Sequence, residues 1–286
     1  MYDLEIVNAR GAALTFNKPG AAYTIVEIDG LYPPNADIGT DTLALLDGAQ
    51  LSYTRISTRT LRIAFVINGA VETNRLKVYS VLRMGQTVTV RYASDKVSLN
   101  LTAYVQSVQV SHFAVRQTVT ATLTALDPYW YALTSDRFDM SHTSALFHFP
   151  FYSTVAKDLV MGVISADPLA TVAYAGSVAT GLIITAHVEQ AITRFRLIDY
   201  YSGEYFGVEY DFETHDVLQI DTRPGHKTAT LTRGGGTTSL IGYLEDGTTW
   251  LMLPPNGTTL IYTVAGSEAE NVVRVTLEYT ARYLGV

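Results

Sequence analysis

Apolar and threonine positions alternate strictly through RQTVTATLTALD (Arg116–Asp127). Val119, Ala121, Leu123 and Ala125 fall on one face, and Thr118, Thr120, Thr122 and Thr124 on the other. Period two in a β-branched run predicts a strand with one buried face. The closing VVRVTLEYTARYLGV repeats the pattern: Val273, Val275, Leu277, Tyr279, Ala281 and Tyr283 face one way, and Arg274, Thr276, Glu278, Thr280 and Arg282 the other. KVSLNLTAYV alternates too, then loses phase from Gln106 to Val108, which predicts a bulge, a turn or a change of sheet. One segment has helical spacing instead. ETNRLKVYSVLRMG predicts a helix over 73–84, with Val71, Val78 and Leu82 on one face and Tyr79 and Val81 flanking. Thr73 or Asn74 would cap its start and Gly85 close its end. Arg75, Lys77 and Arg83 would then face solvent or a neighbour.

After the Val119–Ala125 strand come Asp127, Pro128 and three aromatics, Tyr129, Trp130 and Tyr131. The following ALTSDRFDMSHTSALFHFPFY shows no sustained alternation. Turn signals then recur: Gly176, Gly181, SGEYFG, RPG, RGGG, EDG and PPNG. Short strands with frequent turns predict a β-sandwich. The reading is two domains, 1–138 and 139–286, with the boundary between Ser135 and Ala145. The Asp127–Tyr131 cluster is expected to pack the end of the first domain against that linker, since large aromatics are mostly buried.

Composition narrows the picture. The chain has 286 residues, 48% hydrophobic and 16% charged, enough to build packed cores. Its formal net charge is -7 and it has no basic block, which argues against sequence-specific DNA binding as the main task. With no cysteine, disulfides, thiol catalysis and Cys-ligated zinc are excluded. MYDLEIVNARGAALTF lacks a basic segment leading into an apolar run, so no cleaved secretion signal is expected. No apolar run approaches the roughly 18 residues of a membrane span.

Little in the chain points to chemistry. His112, His142, His148, His187, His215 and His226 form no HExxH or other zinc spacing. There is no GxSxG, and TRGGGTTS lacks the Gly-Lys-Ser/Thr of a phosphate loop, so Gly234–Gly236 read as a tight turn. Carboxylates gather at Glu204, Glu209, Asp211, Glu213 and Asp216. Glu209, Asp211 and Glu213 would share the outer face of a strand whose other face carries Tyr210 and Phe212. A glycosidase pair would need two carboxyls about 5 Å apart across a cleft, whereas alternation alone explains the spacing. Tyr200, Tyr201, Tyr205 and Trp250 are candidates for stacking sugar rings, against a default of core and turn packing. No catalytic residue, cofactor site or metal site is expected.

The order and spacing of several segments carry a resemblance across nearly the whole chain. They are IVEIDGLYPP (Ile25–Pro34), TRTLRIAFVING (Thr58–Gly69) with the helix after it, LDPYWY, GSVATGLIIT, YSGEYF, LQIDTRPG and the closing VTLEYTARYLGV. Together they resemble the distal tail (Dit) proteins of long-tailed, siphovirus-type bacteriophages. One departure is WLMLPPNGTTLIYT, where relatives carry Pro-Gly-x-Asn. The resemblance implies a mainly β protein, with an N-terminal β-rich domain carrying one helix and a protruding hairpin, followed by a C-terminal galectin-like β-sandwich. It implies a homohexameric ring at the distal end of the virion tail, assembled in the host cytoplasm. That ring would join the tail tube protein to a tail-tip protein and to a receptor-binding protein or adhesin, with DNA only in transit through its channel and no membrane partner. In that frame Arg75, Lys77, Arg83, Asp127, Pro128, Tyr129 and Trp130 are the structural or interface candidates. The competing reading is a carbohydrate-binding sandwich that uses Tyr201, Tyr205 and Trp250 on host cell-wall glycans.

Overall fold

The computed structural model describes residues 2–42, 47–114, 116–145, 162–166, 169–267 and 272–286. It divides into two compact units: Met1–Leu133 with Arg282–Val286, and Thr134–Ala281. The last five residues, placed in the second domain by the sequence reading, are therefore grouped with the first.

The first unit runs β1 (Asp3–Asn8), β2 (Ala13–Phe16), β3 (Tyr23–Asp29), β4 (Ala36–Asp41), β5 (Gln50–Ile56), β6 (Arg59–Ile67), α1 (Val71–Val81), β7 (Thr87–Ala93), β8 (Ser98–Val110), β9 (Thr118–Ala125) and the start of β10 (Trp130–Asp139). Seven strands follow the order β8-β7-β1-β2-β3-β6-β9, and β9 pairs back onto β8. The sheet thus closes into a barrel, which removes its free edges. The alternation in β9 buries Val119, Ala121, Leu123 and Ala125 as its pattern predicts. Its partner β6 supplies Leu61, Ile63 and Phe65 to the same core, and Phe16, Tyr23 and Phe65 meet there edge to face. The phase loss at Gln106 is a bulge: the β8–β9 register shifts between Val105 and Ser107.

The helix starts two residues earlier than expected and stops three earlier. Its buried stripe is Val78, Val81 and Leu82, spaced i, i+3 and i+4, whereas Val71 is only half covered. Ala70 occupies the N-cap position and no side chain caps the helix. Asn74 instead donates its amide back to the Asn68 carbonyl at 2.8 Å. Gly85, at φ +71°, serves the turn into β7 and not the helix end.

The second unit begins with the rest of β10. It continues through β11 (Ser141–Ala145), β12 (Gly162–Ala166), β13 (Leu169–Val172), β14 (Thr180–Val188), β15 (Ile192–Asp199), β16 (Tyr205–Phe212), β17 (Val217–Asp221), β18 (Thr228–Arg233), β19 (Gly236–Ser239), β20 (Met252–Leu253), β21 (Thr258–Ala265) and β22 (Val273–Tyr283). One sheet has the order β19-β18-β17-β14-β22-β10 and the other β13-β21-β15-β16, a sandwich. Inward residues of both sheets form its core, among them Ile184, Leu277 and Val275 from one and Phe195, Leu197 and Leu260 from the other.

The expected linker, Ser135–Ala145, is strand. Ser135 and Thr280 hydroxyls lie 2.9 Å apart, and the Met140 amide donates to the Val275 carbonyl at 2.9 Å. Leu133 to Arg137 are all exposed, so this edge strand has no buried face to imprint an alternation on its sequence. Gly234 and Gly235, both at positive φ, make the two-residue β18–β19 hairpin turn. In the departing PPNG segment Asn256 and Gly257 are left-handed, and a side chain at Gly257 would meet the Val172 carbonyl oxygen at 2.0 Å.

Candidate interaction surfaces

Strands β4 and β5 form a two-stranded hairpin that pairs with no other strand among the described residues. Its residues are nearly all exposed, including three large apolar ones: Ile38 at 60%, Leu51 at 61% and Tyr53 at 50%. Local contacts order it. The Tyr53 ring lies over Gly39, its cross-strand partner, where an added Cβ would stand 2.2 Å from the ring. Arg55 reaches Asp37 at 2.7 Å and sits 5.7 Å from the Tyr53 ring centre, and Ser52 bonds Asp41. A lone two-stranded hairpin is marginal in water, and this one has apolar side chains that nothing in its own unit covers.

The helix presents a second surface. Lys77 and Arg83 are exposed as expected, beside Leu76, Tyr79 and Met84. Arg75 differs: its side chain is largely covered and its guanidinium pairs with Glu72 one turn earlier at 2.7 Å. Geometry thus favours a role within the helix for Arg75.

The Asp127–Tyr131 cluster belongs to the interior of the first unit. Trp130 is fully buried and meets Tyr92 edge to face; Pro128 is buried as well. These two are core residues, not contact surface. Arg282, from the returning C-terminal segment, lies 4.2 Å from the Tyr129 ring centre and 5.6 Å from that of Tyr131. Asp127 accepts from the Tyr131 hydroxyl at 2.5 Å, and burial together with this bond pushes the phenol well above its ordinary pKa. The cluster packs on the chain's own last residues and not on a linker.

One residue central to this region carries no separate signal in the sequence. Arg59 opens β6 on its core-facing side, in step with Leu61, Ile63 and Phe65, and is buried. Its Nε donates to Pro128 O at 2.7 Å, one terminal nitrogen to Gly30 O at 2.6 Å and Tyr32 O at 2.7 Å, and the other to Leu284 O. Burial lowers its pKa from the usual value, and four carbonyl oxygens take the place of a carboxylate. The only hint in the sequence is a charge at an apolar phase of an alternating strand.

In the second unit the sugar-stacking candidates do not assemble. Tyr201 is 76% exposed at the tip of the β15–β16 turn, edge to face with Tyr200. Tyr205 donates its hydroxyl to Asp246 O at 2.6 Å and lies beside Arg196. Trp250 packs on Phe206 with ring centres 4.9 Å apart. Neighbours on a strand point to opposite faces, so Tyr205 and Trp250 lie on opposite sides of β16 and make no shelf. The carboxylates fall as the alternation predicts: Glu209, Asp211 and Glu213 are exposed and Phe212 is buried. Arg233 ties this region together. It reaches Glu213 at 2.8 Å, the Asp211 carbonyl at 2.8 Å and the buried Asp216 at 2.5 Å. Burial alone would raise the Asp216 pKa, but Arg233 and the Glu213 amide hold it below the ordinary value. A cleft of about 510 Å³ lies here, lined by Tyr210, Tyr243, Glu209 and Arg233 among others. Among the described residues no group of three or more metal-ligating side chains converges; His148 and the side chain of His142 lie outside them.

Comparison with known proteins bears on both units. Residues 175–283 match the family model described as siphovirus-type tail component, C-terminal domain. Among solved structures, the crystal structure of SPP1 Dit (gp 19.1), described as a paradigm of hub adsorption apparatus in phages infecting Gram-positive hosts, matches with a TM-score of 0.69. That match has 15% identity and covers 98% of each chain. A chain of the phage p2 baseplate in its activated conformation with strontium matches with a TM-score of 0.46, 11% identity and 97% and 98% coverage. No curated protein sequence matches the chain.

Proposed function

From the match of residues 175–283 to the siphovirus-type tail component family and the likeness of the whole fold to SPP1 Dit, we propose that the chain is a phage tail protein of the Dit kind and the ring-forming hub of the tail tip. Six copies close head to tail through the first unit and surround a channel that DNA crosses in transit. The ring joins the tail tube to a tail-tip protein, and the second unit docks a receptor-binding protein or adhesin. It assembles in the host cytoplasm and works without catalysis, as a symmetric joint. A head-to-tail contact is heterologous, so two different patches must match and the rotation must close.

The observation that carries this reading is the β4–β5 hairpin. It exposes Ile38, Leu51 and Tyr53 without a partner in its own unit, which suits a segment that lies on a neighbouring copy. For the second unit, docking is favoured over glycan binding by the separation of Tyr205 from Trp250 across β16 and by the engagement of the carboxylates with Arg233. Mass photometry combined with negative-stain imaging tests the ring. A six-fold particle is the expected outcome, and a monomer at every concentration up to tens of micromolar overturns it.

A further inference from the structure

We propose that Arg59 and the segment Arg282–Val286 form a latch that sets the posture of the β4–β5 hairpin against its barrel. The hairpin joins the barrel through two short connections, residues 30–35 and 57–58. Gly30, at φ +89°, lies close against the Thr60 carbonyl, and a cleft of about 370 Å³ at the hairpin root is lined by Gly30, Tyr32, Asn35, Ser57, Arg59 and Arg62 among others. Besides the Ser57 amide bond to Asn35 O at 3.0 Å, three kinds of contact tie the root to Arg59 or to the segment Arg282–Val286.

The first is the guanidinium fork. Gly30 O and Tyr32 O, on the connection entering β4, bind the same guanidinium as Leu284 O and Pro128 O. The second is backbone: the Val286 amide donates to Leu31 O at 3.1 Å. The third is close approach. An added Cβ at Gly285 would stand 3.0 Å from Pro33 Cδ and 3.1 Å from Leu31 O, so a side chain there would push these neighbours back by a few tenths of an ångström. Arg282 is itself fixed by the rings of Tyr129 and Tyr131, which anchors the segment at its start. The planar fork of arginine spans these separate carbonyls; the point charge of a lysine does not. A buried cation whose acceptors are all loop and tail carbonyls makes the tail's seating and the hairpin's direction one event.

The consequence for assembly rests on the hairpin being the ring contact. A hairpin held in one direction meets its neighbour pre-organised, whereas a swinging one loses affinity to ordering. The latch itself is tested apart from the ring. The chain has no cysteine, so cysteines introduced at Thr54 and Thr102 are the sole sites for a spin-label pair, both exposed, one on the hairpin and one on the barrel. Distances are measured in labelled chain diluted with unlabelled chain. The parent should give one narrow distribution. Arg59→Lys and Gly285→Val should each broaden it at least twofold, while hydrogen exchange in β1 and β7 stays as in the parent. Two substitutions keep the test open should one of them fail to fold. An unchanged distribution in a folded variant overturns the latch. Repeating the measurement in a Leu51→Ser/Tyr53→Ser background separates the two ideas. If that background assembles normally, the hairpin contact fails, and the distances still judge the latch.

Discussion

The contact assigned to the hairpin makes a quantitative demand. Burying a leucine or tyrosine side chain fully contributes about 1.5–3 kcal/mol. Leu51 is already partly covered at 61% exposure and Tyr53 at 50%. A neighbour can therefore remove from water only what remains, about 1–1.5 kcal/mol from each and ~2–3 kcal/mol for the pair. At a factor of ten per 1.4 kcal/mol, Leu51→Ser/Tyr53→Ser should weaken each subunit contact about 30- to 150-fold. Neither residue belongs to the barrel core, so thermal stability should move little, as for other surface substitutions. Mass photometry from nanomolar to tens of micromolar reads the shift directly, with sedimentation velocity as a check. A variant whose oligomer forms over the same concentrations as the parent refutes the assignment, whatever its melting curve shows. A variant that loses the oligomer and also melts much earlier points to the hairpin as part of the fold, which contradicts its lack of partners in the first unit.

Val78 is fully buried on the helix stripe, so Val78→Asp should cost at least ~3 kcal/mol in urea unfolding; a variant as stable as the parent would mean that this stripe does not pack on the core. The depressed Asp216 pKa fixes the sign of a pH effect: its contribution is present above the unfolded-state value near 3.8 and is lost as pH falls through the lower folded value. Asp216→Asn should therefore be less stable than the parent at pH 7, with the gap narrowing below about pH 4, and a pH-independent gap would assign the effect to shape alone. Glycan fragments titrated to millimolar should leave the NMR signals of Tyr205 and Trp250 unmoved, whereas joint shifts would revive the sugar-binding reading.

The strands read from alternation, β8, β9 and β22, were legible because one face of each meets a core. β9 and β22 wrote that face into their alternation, and even the bulge at Gln106 showed as a lost phase. The failures share a cause. β10 from Leu133 to Arg137 and most of the hairpin are exposed on both faces, so burial left no period in them. The expected linker and the missed boundaries of the hairpin follow from that. The helix ends shifted because the cap rules name residues that suit a cap, while the stripe Val78, Val81 and Leu82 and the Asn74–Asn68 bond decided where the turns lie.

Candidate sites divide along the same line, and the division carries the functional argument further. Trp130 and Pro128 are bulky and apolar, and burial takes them inside. Tyr201, Tyr205 and Trp250 share ring chemistry, but nearness in sequence says nothing about which side of β16 a ring occupies. Arg59 is silent in the sequence because its partners are carbonyls from residues 30, 32, 128 and 284, and backbone oxygens have no letter there. An enzyme concentrates its function in side chains converging on a cleft, and so leaves a constellation to be read. A joint works through surfaces and through the posture of the elements that carry them. On the proposed reading, the residues that matter most in this chain are an exposed apolar set on an unpartnered hairpin and a buried arginine at its root. The first breaks the rule that large apolar groups are covered, and the second the rule that charges are not buried. Both exceptions fall on the hairpin and its root, which is where the proposed contact with another copy would be carried and aimed.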